Sequence, residues 1–569
     1  ITLDGTTYKT DGNTEFDATA TGASIKLTGV SPIMTMAAGH TLKFTTADVE
    51  LSGTSGTGDV GTTTFTAPGG ATFAGDIIGK SGMSGTESLT IETSGGALDI
   101  GGSIGGSGKA IGTLLINSSG NGTIAIAGIG TSSAVGVTGA TTIGNTSTGT
   151  LTLDGSAYTT TGTQTYKGAS GGSNIVISGT APIFTTTNTA IAFNTSDVTL
   201  ANNGTTTINT GSGAGGVTFG AKVETNGGGN DNLTISSGEG NVIFTGSVGA
   251  GNSLGALSVN ASSGDGDITF SSTIGDSDSA GTSGTTAIGN DATEVIYFNN
   301  TLYSFDGGQT TITAKDGLNT RVSQANTTIK VNGEALRFDE SALSLSSGAN
   351  LTISSNGGAI TAEKRIRNDA GSATLTIDAG TTSGSTDTVS LAGIGFGDAM
   401  GAVDITAADG ITLTGGVHTV GSVRFRSPVT ISGGDIYIDT VENSANTTDT
   451  DGSVTFDSTV DGTQALWVLT GSGAVTFSDA IGATTPLTGL AINTGADHSG
   501  SSIGNGIKEG VTVSLANIGT SSAAGVSGAT LIGNSETGSV VNLTGTVYNT
   551  NALTIEAATG GNINMNASS

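Results

Sequence analysis

Short triplets of apolar, threonine-like and apolar residues recur along the sequence at nearly constant spacing. Val217-Thr218-Phe219, Val242-Ile243-Phe244 and Ile268-Thr269-Phe270 begin at positions 217, 242 and 268. Ala71-Thr72-Phe73, Leu98-Asp99-Ile100 and Ile124-Ala125-Ile126 begin at 71, 98 and 124, and Val454-Thr455-Phe456 is followed at the same phase by Val475-Thr476-Phe477. Alternation with period two, closed by Gly, Asn or Asp, is the pattern of a half-buried strand. A repeat of about 20–50 residues is the mark of a solenoid. One such coil cannot bury its apolar side alone, but stacked coils can, each pairing its backbone with the next at about 4.8 Å. The reading is an all-β parallel β-helix, or β-solenoid, with rungs of about 21–27 residues, each holding two or three short strands. At roughly 24 residues per rung the chain would make about 24 rungs, a rod on the order of 110 Å.

Composition agrees with that reading. Of 569 residues, 97 are Gly and 5 are Pro; charged residues make up 11% and aromatics 4%. Small inward side chains suffice for a narrow lumen, Thr suits the outer side of strands, and Gly supplies turns with positive φ. Disordered chains are poor in β-branched residues and rich in charge, the reverse of this composition. Tandem immunoglobulin-like sandwiches are the rival all-β fold, but they need longer strands and more core aromatics. The net charge of −29 repels nucleic acid and leaves few bases to contact phosphate. There is no run of about 18 apolar residues of the kind a membrane-spanning helix needs. The absence of Cys removes disulfides and thiolate metal sites. The opening at Ile1, without a basic and apolar leader, is expected of a mature product or a window of a longer array.

A longer repeat overlies the coils. Residues 1–51 align with 151–200, and 129–158 (IGTSSAVGVTGATTIGNTSTGTLTLDGSAY) match 518–548 (IGTSSAAGVSGATLIGNSETGSVVNLTGTVY). Weaker copies end at Tyr303 and begin at Gly410. Taken as an internal repeat of about 115–150 residues, it divides the chain into 1–150, 151–295, 296–410, 411–539 and the start of a further copy at 540–569.

The rungs at 452–497 (GSVTFDSTVDGTQALWVLTGSGAVTFSDAIGATTPLTGLAINTGAD), with those at 217–270, resemble the giant β-strand-repeat surface proteins of bacteria. They are also similar to the shafts of filamentous-haemagglutinin-type adhesins. That resemblance implies a right-handed parallel β-helix, export to the cell surface or the extracellular space, and a role in attachment or in building a filament. It brings no catalytic residues.

The residues themselves offer few centres for chemistry. His40, His418 and His498 have no His partner nearby and show no metal-ligand spacing. Asp265 and Asp267, Asp276 and Asp278, and Asp449 and Asp451 each set two carboxylates at alternate positions, as weak Ca²⁺ binding would use and as plain solvated turns also would. No other cofactor is expected. The basic run Lys364-Arg365-Ile366-Arg367, with Arg424 and Arg426, would bind an acidic glycan if aligned, or else balances surface charge. Trp467, in the most apolar run of the chain, reads as core filling or a bulky cap over a rung, or else as a contact for a partner. Phe219, Phe244, Phe270, Phe456 and Phe477 share one rung position and read as an internal aromatic stack. The expectation is a non-enzymatic, extracellular or cell-surface structural protein. Its first partner would be itself, with a cell-surface glycan or protein as the alternative. An adhesin shaft is the rival function, and a polysaccharide-active enzyme is disfavoured by the even rungs and the lack of clustered acids on one face.

Overall fold

The computed structural model describes the chain apart from residues 20–22, 53–60, 81–84, 107, 173, 229, 262–264, 318, 347, 370–372, 382–385, 396–398, 442–450, 495–510, 534–538, 558–559 and 566–569. Among the described residues there is no helix, and the strand pairings are parallel. The chain is a parallel β-solenoid that divides into two compact units, Ile1–Ile296 and Tyr297–Ser569.

In the first unit each coil visits three faces and, away from certain corners, lays one strand on each. The first face includes Ser24–Leu27, Asp48–Leu51 and Ile77–Gly79, and later Thr205–Asn209 and Asn232–Ser237. The second runs from Thr7–Thr10 to Ile268–Phe270, and the third from Thr14–Phe16 to Val223–Thr225. Many three-residue strands bury their two outer residues and leave the middle one towards solvent, as in Val217–Phe219 and Val242–Phe244. Because partners sit directly above one another, like stacks on like. Val217, Val242 and Ile268 form one inward column, and Phe219, Phe244 and Phe270 form the next.

Coil length varies more than the sequence spacing predicts. The coil from Leu490 to its partner Thr530 is more than twice as long as the one from Ile411 to its partner Val429. Most coils in the first unit are longer than an even division assumes, and the described residues make fewer turns than that division gives. Added length between strands costs little closure entropy.

One corner recurs. At Ile104-Gly105 and Ile129-Gly130 the first face gives up its strand for a single bridging residue, with Ile77, Ile104, Ile129 and Tyr158 paired in turn. Gly105 and Gly130 have φ of 68° and 67°. At Val248-Gly249 and Ile274-Gly275 the same corner interrupts the third face. The coil that closes the first interruption carries Tyr158, fully buried, whose hydroxyl accepts the Gly155 N–H (2.9 Å) and donates to the Ile126 carbonyl one coil back (2.9 Å). Tyr8 accepts the Gly5 N–H in the same way. Counting each bridge that replaces a strand as a strand position, Tyr8 and Tyr158 lie seventeen positions apart, one short of six full coils. The corner therefore moves to the neighbouring face at its next appearance.

The second unit repeats the scheme. Corners at Ile394-Gly395, Ile481-Gly482 and Ile518-Gly519 replace strands. Tyr303 accepts the Asn300 N–H (2.6 Å), and Tyr548 accepts the Gly545 N–H (2.8 Å) and donates to the Leu515 carbonyl. Here the step from Tyr303 to Val417, and again to Tyr548, is fourteen positions, one short of five coils.

A Cβ at Gly105 would fall onto the Gly136 carbonyl, and the positive φ adds strain. Gly105→Ala is therefore expected to destabilise the first unit by about 2 kcal/mol or more, read from the midpoint of urea unfolding. Gly12→Ala, which meets nothing within 4 Å, is the control and should leave the midpoint unchanged.

Candidate functional site

The densest charged cluster among the described residues lies on the second unit. Strand Leu336–Asp339 turns Phe338 inward and leaves Arg337 and Asp339 outside. It pairs with Ile360–Ala362 so that Phe338 meets Ala362, which sets Asp339 beside Glu363 on the next coil. Arg337 sits between them, its Nε 3.4 Å from Asp339 and its Nη2 against Glu363. At the adjoining corner Asp316, Glu340 and Lys364 follow one another at equal intervals along the sequence, and Lys364 Nζ reaches both acids, at 3.2 and 3.6 Å. A cleft of about 420 Å³ opens here, lined among others by Asp316, Asn319, Glu363, Lys364, Arg365 and Arg367.

Carboxylate oxygens of Asp339, Glu340 and Glu363 lie within 4.8 Å of one another. The side-chain contact between Asp339 and Glu363 holds Asp339 below the usual carboxylate range and raises Glu363. The Arg337 guanidinium already offsets much of this negative charge. What the arrangement can do is join successive coils by opposite charges and offer a shallow polar recess.

Of the basic residues singled out in the sequence, Lys364, Arg424 and Arg426 are paired across coils, while Arg367 meets an acid of its own coil. Arg426 makes a bidentate contact with Asp404 (2.6 Å for each nitrogen), Arg424 meets Asp457 (2.8 Å), and Arg367 lies 3.8 Å from Asp369. They do not form a stripe of uncompensated positive charge.

Of the acidic residues proposed for Ca²⁺, Asp265, Asp267, Asp276, Asp278 and Asp451 lie within the described residues, and none of these five belongs to the three-carboxylate group above. Asp265 and Asp278 are exposed. The Asp267 carboxylate accepts the Val295 N–H one coil on (3.1 Å), while its own N–H donates to Asn241 (3.0 Å). Asp276 accepts the N–H groups of Asp278 and Ser279 and the Ser279 hydroxyl, all through Oδ1. Those bonds hold its carboxyl below the ordinary range. Asp276 occupies the corner position that Thr131 and Thr520 take elsewhere, where the threonine hydroxyl accepts the same kind of turn N–H. Asp451 accepts the N–H and hydroxyl of Ser472. Asp449 lies outside the described residues, as does His498.

His40 meets Asn13 Oδ1 (3.3 Å), and His418 Nδ1 meets the Gly395 carbonyl (3.2 Å). His418 is paired in register with Asp439. Burial raises the Asp439 carboxyl; His418 opposes the rise and Asp451 adds to it. A carboxyl whose folded pKa lies above its unfolded value favours folding below the unfolded pKa, and that contribution is lost as pH rises through the folded pKa. Asp439→Asn, which can still accept the Val441 N–H, should therefore raise the thermal midpoint by a few degrees at pH 7 and leave it unchanged at pH 3.

The aromatic residues fall into two places. Phe219, Phe244 and Phe270 stack at 5.2 and 5.0 Å in the first unit, and Phe456 and Phe477 stack at 4.6 Å in the second. Trp467 is not core filling. Its neighbours Leu466 and Val468 point inward, while Trp467 faces outward against Tyr437, with ring centroids 6.1 Å apart and planes at 14°. Sequence reasoning also missed Asp339, Glu340 and Glu363. The signal was present in the equal spacing of Asp316, Glu340 and Lys364, had charges as well as apolar residues been aligned by coil.

No family model matches this chain, nor does any curated protein or solved structure.

Proposed function

We propose that this chain is a structural subunit of an extracellular or cell-surface filament, whose work is to hold length and to associate with copies of itself. The observation that carries this reading is the uninterrupted parallel pairing of coil on coil within each unit. Outer positions are mostly Thr, Ser and Asn, and the charged side chains Arg337, Lys364, Arg424 and Arg426 are spent on partners in adjacent coils. Such a surface is built to be repetitive. The likeness of residues 452–497 to bacterial β-strand-repeat surface proteins supports the same placement. The test is electron microscopy and sedimentation of the purified chain from micromolar to millimolar concentration: fibres or side-by-side assemblies support the proposal, and a single species at all concentrations overturns it.

A second reading is an adhesin shaft that meets a glycan, favoured by the cleft beside Lys364, Arg365 and Arg367. Binding of uronic or sialic acid oligosaccharides, lost in Lys364→Ala/Arg365→Ala, would favour it. Equal retention of neutral and acidic oligosaccharides would dismiss it.

A further inference from the structure

The second face of the first unit differs from both neighbours in continuity, and from the third in charge. The Gly corners break the first face at Ile104 and Ile129 and the third at Val248 and Ile274, while the second keeps a strand in each coil from Thr7–Thr10 to Ile268–Phe270. Its outward middle row is in unbroken register over nine strands, from Thr64 to Thr269. The row consists of six threonines with Leu115, Ala192 and Ile243 between them and holds no ionisable residue. Leu115 is 36% exposed, one of the few large apolar side chains among the described residues left open to water. The positions two before and two after this row add only Glu92, Lys167 and Asp267, two negative charges and one positive, in a chain of net charge −29. The third face, by contrast, carries Glu15, Lys43, Asp99 and Glu224 in its middle row.

We infer that this second face is the surface by which two copies of the chain lie side by side. The inference rests on the self-association proposed above and names the face that performs it. Two copies with net charge −29 repel at most orientations, and along this unbroken face they meet almost without charge. Both copies carry the same rung spacing, so Thr, Ala, Ile and Leu side chains of one fit the furrows between strands of the other. A two-fold pairing of a patch with itself is the commonest way copies associate. Nine strands at about 4.8 Å and a width of about 15 Å give roughly 600 Å² per copy, or about 1,200 Å² in all, the lower edge of specific interfaces. A weak dimer that gains strength along an array is the expected behaviour.

The test uses the full chain. Thr142→Glu/Thr165→Glu puts two carboxylates in the middle of the row, and Thr152→Glu/Val176→Glu does the same on the third face. Far-UV circular dichroism and the thermal midpoint establish that both variants fold. Sedimentation equilibrium should show the dimer dissociation constant raised tenfold or more in the first variant and less than twofold in the second. Because the chain has no Cys, Thr142→Cys and Thr152→Cys give a second readout: oxidation should yield a disulfide-linked dimer from the first and little from the second. If the unmodified chain associates and the second-face variant associates equally well, this face is the wrong one while self-association stands. If the unmodified chain stays a single species throughout, both readings fall.

Discussion

Excision of residues 217–241 leaves a protein that still folds as a solenoid, with its thermal midpoint within a few degrees of the parent. That segment is one full coil, since Val217 is paired with Val242 and Phe219 with Phe244. After excision Val242–Phe244 meets Ile191–Phe193 on the second face, Phe244 stacks on Phe193 as Phe219 does now at 5.1 Å, and Leu257–Ala261 meets Thr205–Asn209 on the first. The loss is local: the Asp231 carboxylate, whose Oδ1 accepts the Asn202 and Asn203 N–H groups at 2.8 and 2.6 Å, the Glu224 carboxylate, which pairs with Lys222 at 2.6 Å, and one level of stacking. Excision of 223–235 should behave quite differently, although it removes a shorter segment. It deletes the strand Val223–Thr225 and most of Asn232–Ser237, so the shortened coil cannot reach round three faces. That variant is expected to lose more than about 10 °C or to unfold in two steps, since nearest-neighbour coupling is what propagates stability through stacked coils. Thermal unfolding followed by circular dichroism separates the two outcomes, and equal damage from both deletions would show that coils are not the stacking unit.

The second large effect concerns the aromatic column. Phe244 has no exposed surface and lies between Phe219 and Phe270 at ring separations of 5.2 and 5.0 Å, nearly parallel to each. Phe244→Ala opens a void with neighbours above and below that are held by their own ladders and cannot collapse into it. The expected cost is about 3–5 kcal/mol, measured by urea unfolding of the full chain. Thr218→Ala, just before Phe219 on the outer side of an adjacent strand, should cost under about 0.5 kcal/mol. A cost under about 1 kcal/mol at Phe244, well below the usual range for a buried aromatic, would mean that the column is fluid and that the ladder alone sets the register.

The coils were legible in the sequence because their cause is local: period-two alternation writes each strand, and vertical stacking demands that each repeat resemble the last. Hence Val217, Val242 and Ile268, paired in the structure, already aligned by spacing. The corners were less legible. Ile104-Gly105 and Ile129-Gly130 look like ordinary strand ends, and only pairing shows that a whole strand has shrunk to one bridge. The direction of Trp467 was hidden for a related reason. Its setting, Ala465-Leu466-Trp467-Val468-Leu469, is apolar on both sides, so alternation could not say which residues turn inward. The charged cluster was hidden because Asp339 and Glu363 become neighbours only through coil pairing. The acidic turns, in contrast, were visible as residues but silent as to role: Asp276 and Asp451 use their oxygens on nearby N–H and O–H groups, which spacing alone does not reveal.

The corner that shifts by one face at each recurrence has a mechanical consequence. Each such level is held on one side by a lone bridge in place of a strand, and is the easiest place for a tear to start. Were the recurrence a whole number of coils, these levels would line up into a seam down one side. Being one strand short, it sends a tear that starts on one side into intact ladder on that side at the next weak level, so each of the two units resists unzipping lengthwise.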